Sequence, residues 1–134
     1  DFAIGHYTHE KNPVTARAAL TTLDIVEDEG LADRAKCLGD RAMSRLRESL
    51  GQNPIAGDIR GRGLMFGVEI VSNRETRTPD PDTAERILYA CLAEGVSFKL
   101  SAGNVLTLSP PLTISEDDLD RALGIVESAI RDAV

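Results

Sequence analysis

The sequence predicts an α/β (α+β) fold in which helices pack on a small, mostly antiparallel sheet. Two observations lead there. Apolar residues recur at helical spacing near the start, in the middle and at the end of the chain. In between, Leu64, Phe66, Val68 and Ile70 alternate with Met65, Gly67, Glu69 and Val71, which is the period of a strand. Gly and Pro stand where one period gives way to the next.

The elements follow in order. Asn12-Pro13 opens a first helix, Asn as cap and Pro in the first turn, where its missing N–H costs nothing. Ala16, Ala19, Leu20, Leu23 and Val26 form its apolar stripe, and Gly30 closes it as a left-handed cap. A second helix carries Leu31, Ala35, Leu38, Ala42 and Leu46 on one face and ends at Gly51. The short link at Gly30 makes the two turn sharply on each other. After Asn53-Pro54 a strand is expected to start at Ile59, with Gly61-Arg62-Gly63 as the turn into the alternating segment. Residues 72–82 are polar, contain Pro79 and Pro81, and read as a loop. Ala84, Ile87, Leu88, Cys91 and Leu92 mark a third helix, closed by Gly95. Residues 96–100 and 104–108 read as short strands around Ser101-Ala102-Gly103. Pro110-Pro111 stop the sheet. Ser115 then caps a last helix, with Asp118 at the capping-box position and Leu119, Leu123, Val126 and Ile130 as its stripe.

Composition bounds the function. With 134 residues there is room for one domain with a modest core. Apolar residues make up 42%, which argues against disorder. No apolar run approaches the ~20 residues that span a bilayer, and no basic region precedes an apolar stretch as in a signal peptide. The chain opens at Asp1 without an initiator Met, so a fragment of a longer protein is expected. Fifteen basic residues against 22 acidic ones give a net charge of −7, which disfavours nucleic-acid and membrane partners. Cys37 and Cys91 are too few for a disulfide framework; both are expected on the apolar sides of helices as reduced thiols, in a cytoplasmic protein.

Few residues advertise chemistry. His6, His9 and Glu10 lack the four-residue histidine spacing of a zinc helix and a further ligand set, so no metal is expected. Arg60-Gly61-Arg62-Gly63 is a single copy without aromatics in an acidic chain, and reads as a turn rather than an RNA-binding box. Gly61, Gly63 and Gly67 are followed by strand alternation, not by the helix a dinucleotide fingerprint requires. The lysines are Lys11, Lys36 and Lys99, and none sits in a segment that promises the desolvated pocket of a Schiff-base lysine.

Three stretches together resemble the class III aminotransferases, a branch of the fold-type-I pyridoxal-phosphate enzymes. The first is Thr8-His9-Glu10-Lys11-Asn12-Pro13 and the Ala-rich helix after it. The second runs from Gly57-Asp58-Ile59-Arg60-Gly61-Arg62-Gly63 to Glu69, and over 57–71 looks particularly like the dialkylglycine decarboxylase branch. The third is Asn104-Val105-Leu106 with Pro110-Pro111-Leu112-Thr113-Ile114-Ser115. In order and spacing they cover nearly the whole chain.

The resemblance implies that residues 1–134 are the C-terminal small domain of a larger dimeric enzyme. Residues 1–12 would be a cofactor and interface loop, 13–51 two helices, and 57–134 a sheet with two helices. It implies pyridoxal 5'-phosphate as cofactor, and a small-molecule amino donor and acceptor as partners. The threonine matching Thr8 donates to the cofactor phosphate bound in the neighbouring subunit of a homodimer. No catalytic residue is expected here, since the Schiff-base lysine lies upstream of Asp1, and the piece alone should be inactive. Thr107 stands where many members have an arginine for the substrate carboxylate. A hydroxyl cannot form that bidentate, charge-assisted pair, so a different substrate end is implied: an amine, a phosphonate, or a carboxylate held by another arginine. His9-Glu10-Lys11 also replaces the family's small, Gly-containing spacer. A lyase or decarboxylase on the same scaffold, or a free-standing α/β binding module, are the rival readings.

Overall fold

The computed structural model describes residues 12–134. Helix α1 (Pro13–Asp28) starts where Asn12 Oδ1 accepts from the Val14 N–H at 2.9 Å. Gly30, at φ +61°, turns the chain into α2 (Leu31–Leu50). Strands β1 (Ala56–Arg62) and β2 (Met65–Asn73) form a hairpin, and the two-residue β3 (Thr78–Pro79) folds back on the end of β2. Helix α3 (Pro81–Ala93), β4 (Lys99–Ser101), β5 (Val105–Leu108) and α4 (Glu116–Asp132) complete the order. The sheet runs β1-β2-β5-β4 with β3 beside β2, and every pairing is antiparallel, as the α+β expectation required.

One face of the sheet makes the core. Phe66, Val68, Ile70 and Leu106 are buried there, and α2, α3 and α4 lie over them. Helix α2 contributes Leu31, Ala35, Leu38, Ala42, Leu46 and Leu50, and α4 contributes Leu119, Leu123, Val126 and Ile130. These are the stripes that the helical period marks. Gly39 lets α2 touch the hairpin: a Cβ there would lie 2.0 Å from the Gly63 carbonyl oxygen. No larger residue fits without moving backbone.

A polar clamp crosses the core. Glu127 is buried on α4 and accepts from Arg45 Nε at 3.0 Å, Arg45 Nη2 at 2.9 Å and Ser49 Oγ at 2.9 Å. A buried carboxylate needs such partners, because desolvation penalises its charged form. The pair answers in kind: Glu127 raises the Arg45 pKa above its ordinary value.

Several boundaries differ from the sequence reading. Strand β1 begins at Ala56 rather than Ile59, and Gly61 and Arg62 are paired strand residues, so the turn narrows to Gly63 and Leu64. Part of 72–82 is β3 and the tail of β2, because Ser72 and Asn73 continue past the last core residue. Strand β4 starts at Lys99, later than 96. Cys37 is exposed and not on the apolar side; it follows Lys36 on α2 and precedes the buried Leu38. Cys91 is buried as expected, and burial pushes its thiol up to about 11. The largest difference is α1. None of its residues is buried, and Leu20 and Leu23 are more than half exposed.

Candidate functional site

The other face of the sheet is where side chains remain free. Antiparallel pairing places directly opposite residues on the same side. Gly67 lies opposite Arg60 on β1 and opposite Thr107 on β5, and Thr107 lies opposite Lys99 on β4. Arg60, Gly67, Thr107 and Lys99 thus form one row across four strands. The next row holds Asp58, Glu69, Val105 and Ser101. Gly67 has no side chain, and a Cβ would sit 2.8 Å from the Leu106 carbonyl oxygen. The middle of the row is therefore low, with Arg60 on one side and Thr107 and Lys99 on the other.

Thr107 is half-buried, and its Oγ1 donates to Ser101 Oγ at 2.8 Å. Lys99, Ser101 and Thr107 contribute to the lining of a cavity of about 930 Å³ at the sheet's edge, which also takes in Phe66 and Leu108 from the core side and Leu119, Leu123 and Val126 of α4. The charges nearby are mostly answered. Arg60 Nη1 bonds Asp58 at 3.0 Å. Asp118 accepts from Ser115 Oγ at 2.7 Å and Arg121 Nη2 at 3.3 Å. Glu69 has Arg77 at 3.9 Å, an ion pair too long for a hydrogen bond. Lys99 is exposed and makes no ion pair or hydrogen bond among the described residues.

Of the two predicted site residues, the structure gives Thr107 a cavity-lining position. Thr8 lies outside the described residues, as do His6, His9, Glu10 and Lys11. No group of His, Cys, Asp and Glu suited to a metal occurs among the described residues. No helix among them is long and apolar enough to cross a membrane. The sequence reading missed Ser101 as a partner of Thr107 and Lys99 as its cross-strand neighbour. The turn at Ser101-Ala102-Gly103 held the signal, because a tight reversal there fixes which residues stand opposite.

The pyridoxal phosphate that the resemblance implies can be tested against the described residues. Lys36 is exposed and bound to Asp40 at 2.8 Å, and Lys99 is exposed, so neither has the dry surroundings that a cofactor-bearing lysine needs. Helices α3 and α4 begin with their own acids, Asp82 and Glu116-Asp117-Asp118, which repel a phosphate. The first turn of α1 carries no acid, but Pro13 has no N–H and the Val14 N–H is taken by the Asn12 side chain. The described residues thus offer neither a covalent anchor for the cofactor nor an open helix start for its phosphate.

The chain is similar to several known proteins. The (R)-1-hydroxy-2-aminoethylphosphonate ammonia-lyase of Vibrio splendidus is 46% identical over 128 residues, 96% of this chain and 27% of the relative. The leucine/methionine racemase of Thermococcus litoralis is 40% identical over 130 residues, again 96% of this chain and 29% of the relative. An aminotransferase of Bacillus anthracis superposes with a TM-score of 0.86 at 35% identity, over 98% of this chain and 31% of its own. The chain thus spans less than a third of each of these proteins. The family described as aminotransferase class-III matches residues 5–130, from ahead of the first helix almost to the end of the last, and the chain belongs to it.

Proposed function

We propose that the complete protein is a pyridoxal-phosphate-dependent enzyme that transfers the amino group of a small molecule. Residues 1–134 serve as its C-terminal small domain in a cytoplasmic homodimer, and they do not catalyse alone. Thr8 donates its hydroxyl to the cofactor phosphate held by the neighbouring subunit. The bound cofactor supplies the electron sink of the reaction. This chain's part is to orient the substrate with the wall that contains Thr107.

The observation that carries the reading is Thr107 itself. It stands on β5, where the resemblance puts the carboxylate-binding arginine of many members, and its hydroxyl is engaged with Ser101. A standard α-carboxylate therefore has no guanidinium to meet at this position. The substrate's far end is something other than an ordinary α-amino acid's. The test is steady-state kinetics of the full-length enzyme with pyruvate as amino acceptor. Simple amines and aminophosphonates should be used well, and common α-amino acids poorly. High efficiency with common α-amino acids would sink the reading.

A second reading is elimination, favoured by the 46% identity to the Vibrio ammonia-lyase. Product analysis separates the two, since transfer conserves the amino group and elimination releases ammonia. The likeness of residues 57–71 to the dialkylglycine decarboxylase branch predicts released carbon dioxide, which the same analysis detects.

A further inference from the structure

We propose that Lys99 is a specificity-determining residue that binds a tetrahedral, doubly charged end of the substrate, a phosphonate, together with the Ser101–Thr107 hydroxyl pair. The proposal rests on the reading of the Thr107 wall as part of the substrate pocket, and adds which residue supplies the charge and which shape of anion it takes.

The geometry has three parts. Lys99 and Thr107 are directly opposed on β4 and β5, so both side chains stand on the same face of the sheet, and both residues contribute to the lining of one cavity at its edge. Residues so paired have Cβ atoms about 5 Å apart, close enough to hold one ligand group between them. Next, Lys99 is free. Asp58 and Asp118 are bonded to arginines, whereas the Lys99 ammonium has no partner among the described residues. Glu69 faces Arg77, and Glu94, at the end of α3, is the further carboxylate that lines the cavity. Finally, the hydroxyl pair has a proton to spare. Two hydroxyls carry two protons, and the Thr107–Ser101 bond uses one, so Ser101 can donate outward.

The shape of the donors selects the anion. A planar carboxylate is matched by the fixed fork of a guanidinium. An ammonium is a compact charge with three rotatable donors, and with a hydroxyl beside it can meet the three oxygens and double charge of a phosphonate, where a carboxylate offers two oxygens and one charge. The charge of this wall has thus moved one strand over from the family's arginine, and its geometry has changed with it.

The experiment uses the full-length, cofactor-loaded enzyme and three amine-free probes of equal length: ethylphosphonate, ethanesulfonate and propionate. Binding is measured by titration calorimetry, which does not depend on turnover. Ethylphosphonate should bind most tightly, and Lys99→Met should weaken it by roughly tenfold or more, the loss of one charge-assisted contact. Lys99→Arg should retain ethylphosphonate binding, since a guanidinium also pairs with phosphonate oxygens. Lys99 is exposed, so an unchanged melting temperature will show that both variants fold. Unaltered ethylphosphonate affinity in Lys99→Met overturns the proposal, as does tighter binding of propionate than of ethylphosphonate by the parent protein. Kinetics with 2-aminoethylphosphonate then separate the two ideas. Lys99-dependent binding without any amino chemistry upholds the anion site and defeats the proposed function. Turnover whose KM ignores Lys99→Met does the reverse.

Discussion

Helices α1 and α2 are consecutive, similar in amphipathic pattern and opposite in fate. Helix α2 buries eight residues, among them Leu46 and Leu50 at 0% exposure, whereas α1 buries none and leaves Leu23 at 59%. The difference teaches that periodicity reports a face with a partner and says nothing of where the partner lies. For α2 the partner is the β1–β2 hairpin and α4, all in this chain. For α1 no described element covers the stripe.

The comparison can be broken at its stronger end first. Leu46→Ala removes a fully buried side chain from the centre of α2 and should cost about 3–4 kcal/mol in urea unfolding of the chain. A cost below about 1 kcal/mol would mean that α2 is not packed as described. Arg45→Ala strips Glu127 of two of its three hydrogen bonds and should cost about 3 kcal/mol, the low end for a buried pair because Arg45 itself is part-exposed. Replacing both, as in Arg45→Met with Glu127→Leu, should recover most of that loss, and failure to recover would show that more than the ion pair was disturbed.

Smaller effects sharpen the comparison. Asp80 caps α3, its Oδ1 accepting from the Thr83 N–H at 3.0 Å and its Oδ2 from Thr83 Oγ1 at 2.8 Å. These bonds to Thr83 lower its pKa from the usual carboxylate value. A depressed carboxylate stabilises fully above its unfolded pKa of about 3.9 and loses that contribution as pH falls through the folded value. Asp80→Ala should therefore cost about 1 kcal/mol at neutral pH and progressively less in acid, as read from melts across pH 2–6. At the weak end, Leu23→Ala on α1 should change stability by less than about 0.5 kcal/mol. A loss as large as that of Leu46→Ala would show that α1 is covered in solution.

The helices were readable because each has two independent signals, a stripe and a cap. Ser115 with Asp118 and Asn12 with Pro13 mark starts that the structure reproduces to the residue. Strand edges were less readable. Ala56 and Gly57 have no alternation to reveal them, and Ala56 meets Ile70 only across a register shift between Ala56 and Asp58. Glu127 was invisible as a buried residue, although its place four residues after Leu123 put it beside the apolar stripe. Cys37 was misplaced because a small thiol between Lys36 and Leu38 fits either side of α2. For the site, resemblance pointed to Thr107, but its neighbours come from pairing between strands, which a linear pattern does not specify.

One small contact governs how well that pairing is kept. Asn104 is buried, its Nδ2 donates to the Ile70 carbonyl at 2.9 Å, and the Ile70 N–H donates to the Asn104 carbonyl at 2.8 Å. Were the β4–β5 unit to slide by a single residue, its side chains would exchange faces, so that Leu100 would stand beside the cavity and Lys99 would be driven into oil. The amide that latches position 104 to the central strand thereby acts as a proofreader of which chemistry the enzyme shows its ligand.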